Sequence, residues 1–209
     1  MQPPRAVVFD IGNVLVGWDP ERLYARLIPD AAQRQAFFAE AELAAMNRDI
    51  DLGAPFRARV EAQAAAHPRH AALIRAWHDR WSEMFRPAIA GSVALMRLLR
   101  ARGVAVHALS NFGAETFALA RSIYPVLGDF DLTVISGEEG VAKPDAEIYA
   151  RLEARTGLER PALFFTDDRA ENVAAARRRG WRTHLFRNPA ALALELVEAG
   201  LIAPHELTG

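Results

Sequence analysis

The sequence predicts an α/β protein: a doubly wound parallel sheet, Rossmann-like in its core, with a small all-helical cap inserted after the first strand. Three observations predict it. Short apolar runs of strand length alternate with amphipathic helical patterns along most of the 209 residues. One connection is far longer than a parallel crossover needs, and its excess is helical. Polar, chemistry-bearing residues follow each strand at its carboxyl end, where open parallel sheets bind ligands.

The strands come first. Ala6–Phe9, Val104–Leu109, Leu132–Ile135 and Ala162–Phe165 are short runs rich in Val, Leu, Ile and Phe, and Thr183–Phe186 is a fifth candidate. Near-continuous apolar runs of this kind suit strands buried on both faces. Between and after them lie helical patterns at Ser92–Arg102, Ala114–Ile123, Ala146–Thr156, Ala170–Arg179 and Ala190–Ala199. Gly103, Gly157 and Gly180 stand just past three of these helices, as C-terminal stops.

The long connection separates the first two strands by roughly ninety residues, against the dozen or so of a parallel crossover. Helix formers with apolar spacing fill Pro20–Ile28, Ala31–Ala45, Ala54–Ala66 and Arg69–Phe85. Proline-marked turns at 17–20 and 86–87 bracket the insert. The expected division is therefore an α/β core of residues 1–16 and 87–209 and a helical cap of residues 17–86. The segment Met46–Asp51 breaks the helical pattern and reads as a loop between cap helices.

Composition bounds the function. Hydrophobic residues make up 51%, enough for a full core, and the net charge of -1 implies no general attraction to nucleic acid or anionic lipid. There is no cysteine, which excludes disulfides, zinc thiolate sites and a cysteine nucleophile. No apolar run reaches the ~18 residues of a membrane helix, and the first residues lack a signal-peptide pattern, so a cytoplasmic location is expected. The six histidines show no ligand spacing, and His107 reads as a core residue. Of the 25 Lys and Arg residues only Lys143 is lysine. A chain that uses arginine everywhere else has reason to keep a compact ammonium at that one place.

The strand ends then give a constellation. Asp10 follows the first strand, Ser110-Asn111 the second, a loop leading to Lys143-Pro144 the third, and Asp167-Asp168 the fourth. Each has a plain structural explanation alone, such as a helix cap. Together they put carboxylates, an amine and a hydroxyl at one edge of one sheet. That set points to phosphoryl transfer through an aspartate. Asp10 attacks phosphorus and forms an acyl phosphate. Asp10 and Asp168 offer hard oxygens to Mg²⁺. Lys143 neutralises charge between Asp10 and the phosphoryl group. Ser110 Oγ and the Asn111 backbone N–H hold phosphoryl oxygens.

In these residues the chain resembles the haloacid-dehalogenase-like superfamily, specifically its phosphatases with a helical cap after the first strand. The four motifs read FDIGNVL, LSN, AKP and FFTDDRAEN, in the family's order and over nearly the whole chain. The resemblance implies that Asp10 is the nucleophile, that Ser110 binds phosphate, that Lys143 bridges nucleophile and phosphate, and that Asp168 is a metal ligand. It makes Asp167 a second ligand or its support, and Asn172 a residue that orients this loop. The Gly12 carbonyl stands where the family also binds Mg²⁺. The partner it implies is a small phosphorylated metabolite, with a sugar phosphate as one candidate. Oligomeric state stays open.

One position departs from the family's pattern. Most of its phosphatases carry a second acid two residues after the nucleophile, which protonates the leaving group; here that position is Gly12. Three readings follow. The chain is a phosphatase whose proton comes from water or another acid. It is a 2-haloacid dehalogenase, whose halide leaves unprotonated, although Asp167-Asp168 argues against that. Or it is a non-catalytic phosphate-binding protein. From the cap, Arg48 is the candidate for a substrate hydroxyl or second anionic group, and Asp49 or Asp51 for a proton carrier. The short turn between cap helices favours proton delivery by water or none at all. Trp18 and Trp81 flank the cap hinges and are candidates to wall the pocket.

Overall fold

The computed structural model describes residues 2–207. Its strands and helices, in chain order, are β1 (Ala6–Phe9), β2 (Val16–Trp18), α1 (Glu21–Leu27), α2 (Ala31–Glu40), α3 (Leu43–Asp51), α4 (Phe56–Ala66), α5 (Ala71–Asp79), β3 (Phe85–Ala88), α6 (Ala90–Ala101), β4 (Ala105–Ser110), α7 (Ala114–Ile123), β5 (Leu132–Ile135), α8 (Ser136–Glu139), α9 (Ala146–Thr156), β6 (Leu163–Asp167), α10 (Ala170–Arg178), β7 (Arg182–Leu185) and α11 (Pro189–Glu198). Five strands form one parallel sheet in the order β5-β4-β1-β6-β7. β1 lies at its centre, where the strand order reverses.

Residue alternation along β1 explains the helices on both faces. Val7 and Phe9 belong to one apolar cluster, with Met96 and Leu99 of α6 and Leu192 and Leu196 of α11. Ala6 and Val8 belong to the other, with Ile148, Tyr149 and Leu152 of α9 and Ala175 and Ala176 of α10. A strand covered on both sides must be apolar throughout, and all four residues of β1 are fully buried. Gly103, Gly157 and Gly180 adopt positive φ of 75°, 65° and 85° after their helices, as C-terminal stops require. His107 is buried in β4, and its Nδ1 has no hydrogen-bond partner among the described residues.

Between β1 and β4 the chain is helical from α1 to α5, and the ends of this insert are tied by an antiparallel ribbon of β2 and β3. The turns read at 17–20 and 86–87 in fact contribute to that ribbon. The apolar cluster on the α6 face runs on into the insert through Phe37, Leu43, Met46, Ile50 and Phe56. No helix among the described residues is long and apolar enough to cross a membrane.

Two local expectations are corrected. Met46–Asp51 is not a loop but the body of α3. The break lies earlier, at Ala41-Glu42, where Glu42 takes a left-handed φ of 49°. α3 then buries Leu43, Met46 and Ile50 on one helical face, while Asn47, Arg48 and Asp51 line the cavity. The fourth strand also runs further than its apolar run: β6 ends on Asp167, which is fully buried.

Candidate active site

The sheet register assembles the site. Phe9 pairs with Ala108 on one side and with Thr166 on the other. Asp10 therefore lies level with Asp167 and one step short of Ser110, all at the carboxyl edge. The Asp10 N–H donates to the Thr166 carbonyl at 3.0 Å, which holds the residue in the sheet line.

Asp10 is 6% exposed. Its Oδ1 accepts from Ser110 Oγ at 2.7 Å and lies 2.9 Å from Lys143 Nζ. Burial pushes the Asp10 carboxyl up to about 6, Lys143 pulls it down, and Asp167 raises it again. Lys143 Nζ also donates to Asp167 Oδ2 at 2.6 Å. Burial alone would lower the Lys143 ammonium, but the charges of Asp10 and Asp167 outweigh it, and the net shift is upward. The lone lysine is thus a fully charged cation between two buried carboxylates.

Asn111 sets where that lysine sits. Its side chain accepts from the Lys143 N–H at 2.8 Å and donates to the Lys143 carbonyl at 2.9 Å. This two-point clamp is a backbone mimic that joins the loop after β4 to the loop after β5. Nothing in the linear sequence pairs residues so far apart, and only Asn or Gln could make both bonds at once.

Asp167 and Asp168 divide their tasks. Asp167 Oδ1 accepts from the Arg169 N–H at 2.8 Å and from Asn172 Nδ2 at 3.1 Å; Oδ2 accepts from Asn172 at 3.0 Å as well as from Lys143. Both oxygens are saturated. Asn172 therefore orients Asp167 directly. Asp168 is half-buried and held loosely, by Asn13 Nδ2 at 3.4 Å. Burial, and then the neighbouring Asp167, raise its carboxyl. Asp10, Asp167 and Asp168 offer oxygens within 4.8 Å of one another, the geometry of a metal centre, and no histidine joins them. These three carboxylates could hold a metal ion, and Asp168, on the cavity wall, has the fewest hydrogen-bond partners of the three.

A cavity of about 490 Å³ opens above this edge. The core contributes Asp10, Gly12, Ser110, Lys143 and Asp168 to its lining. Trp18, Trp81, Phe85 and Phe112 form an aromatic wall, with ring centroids 5.9 Å apart for Trp18–Trp81, 5.0 Å for Trp81–Phe85 and 5.3 Å for Phe85–Phe112. Gly12 has space beside it: a Cβ built there would meet only Trp18 Cβ, at an ordinary 3.8 Å. The missing second acid is thus not excluded by crowding.

The insert contributes Asn47, Arg48, Asp51 and Leu52. Arg48 is exposed and makes no ion pair among the described residues. Asp49 points away into an ion pair with Arg59 at 2.8 Å and does not line the cavity. Asp51, the last residue of α3, does line it.

Comparison with known proteins gives the family and the fold. The model of haloacid dehalogenase-like hydrolases matches residues 4–180. A sesquiterpene phosphatase of Aspergillus oryzae, astK, is 35% identical over 83 residues, 40% of this chain; the match spans 42% of that protein's length. Among solved structures, a HAD family enzyme of Bacteroides thetaiotaomicron superposes with a TM-score of 0.69 at 21% identity, covering 90% of this chain and 95% of its own. A mutant of that enzyme, in complex with magnesium and inorganic phosphate, gives 0.70 at 19%, covering 88% and 95%. L-2-haloacid dehalogenase of Xanthobacter autotrophicus, with chloropropionic acid covalently bound, gives 0.62 at 19%, covering 98% and 86%. At these identities the structures speak for the fold. With most of its length matched, the chain belongs to the haloacid dehalogenase-like hydrolases.

Proposed function

We propose that this chain is a Mg²⁺-dependent phosphatase that hydrolyses a small phosphomonoester through an aspartyl-phosphate on Asp10, with the helical insert of residues 17–86 acting as its cap. One observation carries the reading: Asp168 stands beside an Asp10 that Lys143 and Ser110 already orient. Asp10, Ser110 and Lys143 alone would serve either a phosphatase or a dehalogenase. A further free carboxylate within reach of the nucleophile would only repel it unless a cation sits there. Mg²⁺, held by Asp10, Asp168 and the Gly12 carbonyl, would offset the charge of phosphate and carboxylate as they meet.

The other residues take their roles from position. Asp10 attacks phosphorus. Lys143 stabilises the negative charge shared by Asp10 and the phosphoryl group. The Ser110 hydroxyl and the Asn111 N–H bind phosphoryl oxygens, while the Asn111 side chain fixes Lys143. Asp167 acts as the support of Lys143 rather than as a ligand, because its oxygens are already filled. Arg48 meets the far end of the substrate.

The aromatic wall favours an apolar leaving group over a sugar. Sugar hydroxyls need polar partners, and four aromatic rings along one side supply few. The similarity to a sesquiterpene phosphatase supports a prenyl-type or other alkyl phosphate. The test is a panel of a prenyl phosphate, glucose 1-phosphate, p-nitrophenyl phosphate and 2-chloropropionate, assayed with Mg²⁺ and with chelator. Expected is phosphate release that chelator abolishes, fastest with apolar esters. Chelator-resistant chloride release would establish the dehalogenase instead, and phosphate binding with no turnover the non-catalytic reading.

A further inference from the structure

Protonation of the leaving group is the one task in this reaction that no residue of the sheet edge can perform. Ser110, Lys143, Asp10 and Asp168 are each committed elsewhere, and position 12 is glycine. We propose that Asp51, on the last turn of α3, is the general acid and base of the reaction, supplied by the insert in place of an acid at position 12. The proposal rests on the phosphatase reading above.

The position of Asp51 is fixed by contacts between insert and core. The Ser136 hydroxyl donates to the Asp51 carbonyl, and the same Oγ accepts from the Phe112 N–H at 2.9 Å. Two glycines let the backbones close up. A Cβ at Gly113 would lie 2.7 Å from Ile50 Cγ2 and 3.0 Å from the Ile50 carbonyl, and one at Gly53 would lie 2.8 Å from the Gly137 carbonyl. Gly53 also has a φ of 103°, which other residues rarely adopt. Three separate contacts thus dock the end of α3 onto the loops after β4 and β5. The carboxylates lining the cavity are Asp10, Asp51 and Asp168, and Asp51 alone comes from the insert.

Its surroundings suit a proton donor. Asp51 has no ion-pair partner among the described residues, in contrast to Asp49, which Arg59 neutralises. Asp51 Oδ2 accepts from Asn47 Nδ2 at 2.8 Å. Burial pushes its carboxyl up to about 8, a bond from the Gly113 N–H pulls it down, and the charge of Asp10 adds to the rise. The charged groups that share the cavity with it are Asp10, Lys143, Asp168 and Arg169 from the sheet edge and Arg48 from its own helix. At neutral pH the carboxyl therefore holds its proton, as a general acid must.

The step balances. An Asp10 oxygen forms a bond to phosphorus as the ester P–O bond breaks, and the Asp51 proton passes to the departing alkoxide, giving the alcohol. Asp51, now a carboxylate, takes a proton from the water that attacks the acyl phosphate at phosphorus. Inorganic phosphate leaves, the Asp10 carboxylate is regenerated, and Asp51 is protonated again.

The test uses the leaving group as the probe. kcat/KM reports steps up to departure of that group. An alkyl phosphate needs a proton to leave, while p-nitrophenyl phosphate needs almost none. In Asp51→Asn the alkyl-to-aryl ratio of kcat/KM should fall by ~10²–10⁴-fold, the usual worth of general acid catalysis. Asp49→Asn should leave the ratio as in wild type. Asp51→Glu keeps the donor and should lose far less of the ratio than Asp51→Asn; it also serves if the Asn variant does not fold. An unchanged ratio in Asp51→Asn, or a Glu variant that behaves like Asn, overturns the proposal. Aryl and alkyl rates falling together would assign Asp51 a binding or structural role. If wild type cleaves neither ester but releases halide, the phosphatase reading fails, and Asp51 with it for a separate reason.

Discussion

Lys143→Met removes the cation between Asp10 and Asp167 while keeping an unbranched apolar stem. At 2.9 Å and 2.6 Å, each ion pair has a Coulomb energy of roughly 6 kcal/mol at an effective dielectric of ~20. Desolvation of the three groups cancels much of that, at several kcal/mol per ion. What matters is the state left behind: two buried carboxylates facing each other with no cation. Removing one partner of such a cluster typically costs ~3–5 kcal/mol. The loss should depend on pH with a definite sign. Asp10 is already raised to about 6 with the lysine in place, and without it the folded-state value rises further. A carboxyl raised on folding makes stability fall as pH rises through the ordinary carboxyl range and beyond, up to the raised value. The deficit relative to wild type should therefore be largest at pH 8 and shrink towards pH 5.5. Urea unfolding at pH 5.5, 7 and 8 with chelator present measures it. A deficit below ~1 kcal/mol at pH 8, or one that grows on acidification, would refute the view that Lys143 neutralises both carboxylates.

Other expectations follow from the same geometry. Asp10→Asn should keep the fold and retain less than about a hundredth of wild-type turnover, since an amide is a very poor nucleophile; more activity would indicate a different nucleophile. Asp168→Asn should abolish the rise in Tm on adding Mg²⁺, which in wild type corresponds to ~2.7 kcal/mol at a hundred times Kd; a retained rise would place the metal elsewhere. For an alkyl phosphate, kcat/KM should decline above pH about 8, where Asp51, which shares its cavity with Asp10, Arg48, Lys143, Asp168 and Arg169, loses its proton. The same decline persisting in Asp51→Asn would assign it to another group. Because Gly12 has room for a side chain, Gly12→Asp in the Asp51→Asn background should recover part of the alkyl phosphate rate, and no recovery would mean that a donor at position 12 cannot reach the leaving oxygen.

The parallel sheet was legible in the sequence because strands buried on both faces have no choice but to be apolar, and helices between them must carry one apolar face. The order of Asp10, Ser110, Lys143 and Asp168 was legible for a related reason: a parallel sheet brings every strand's carboxyl end to the same edge, so residues scattered over the chain share one address. Lys143 stood out by composition alone. What depended on tertiary structure was which groups touch. The clamp of Asn111 on Lys143 joins two loops, and no local pattern marks it. Asp167 reads as half of an acidic pair, yet Lys143, Asn172 and the Arg169 N–H fill its oxygens and leave Asp168 alone to face the cavity. α3 was hidden because its polar residues, among them Asn47, Arg48 and Asp51, line a cavity formed with other parts of the chain, while only Leu43, Met46 and Ile50 are buried. The state of Asp51 lies furthest from the linear sequence. The same aspartate in water would be ionised at neutral pH, and it is burial between insert and core, where glycines let the two backbones meet, that keeps its proton on.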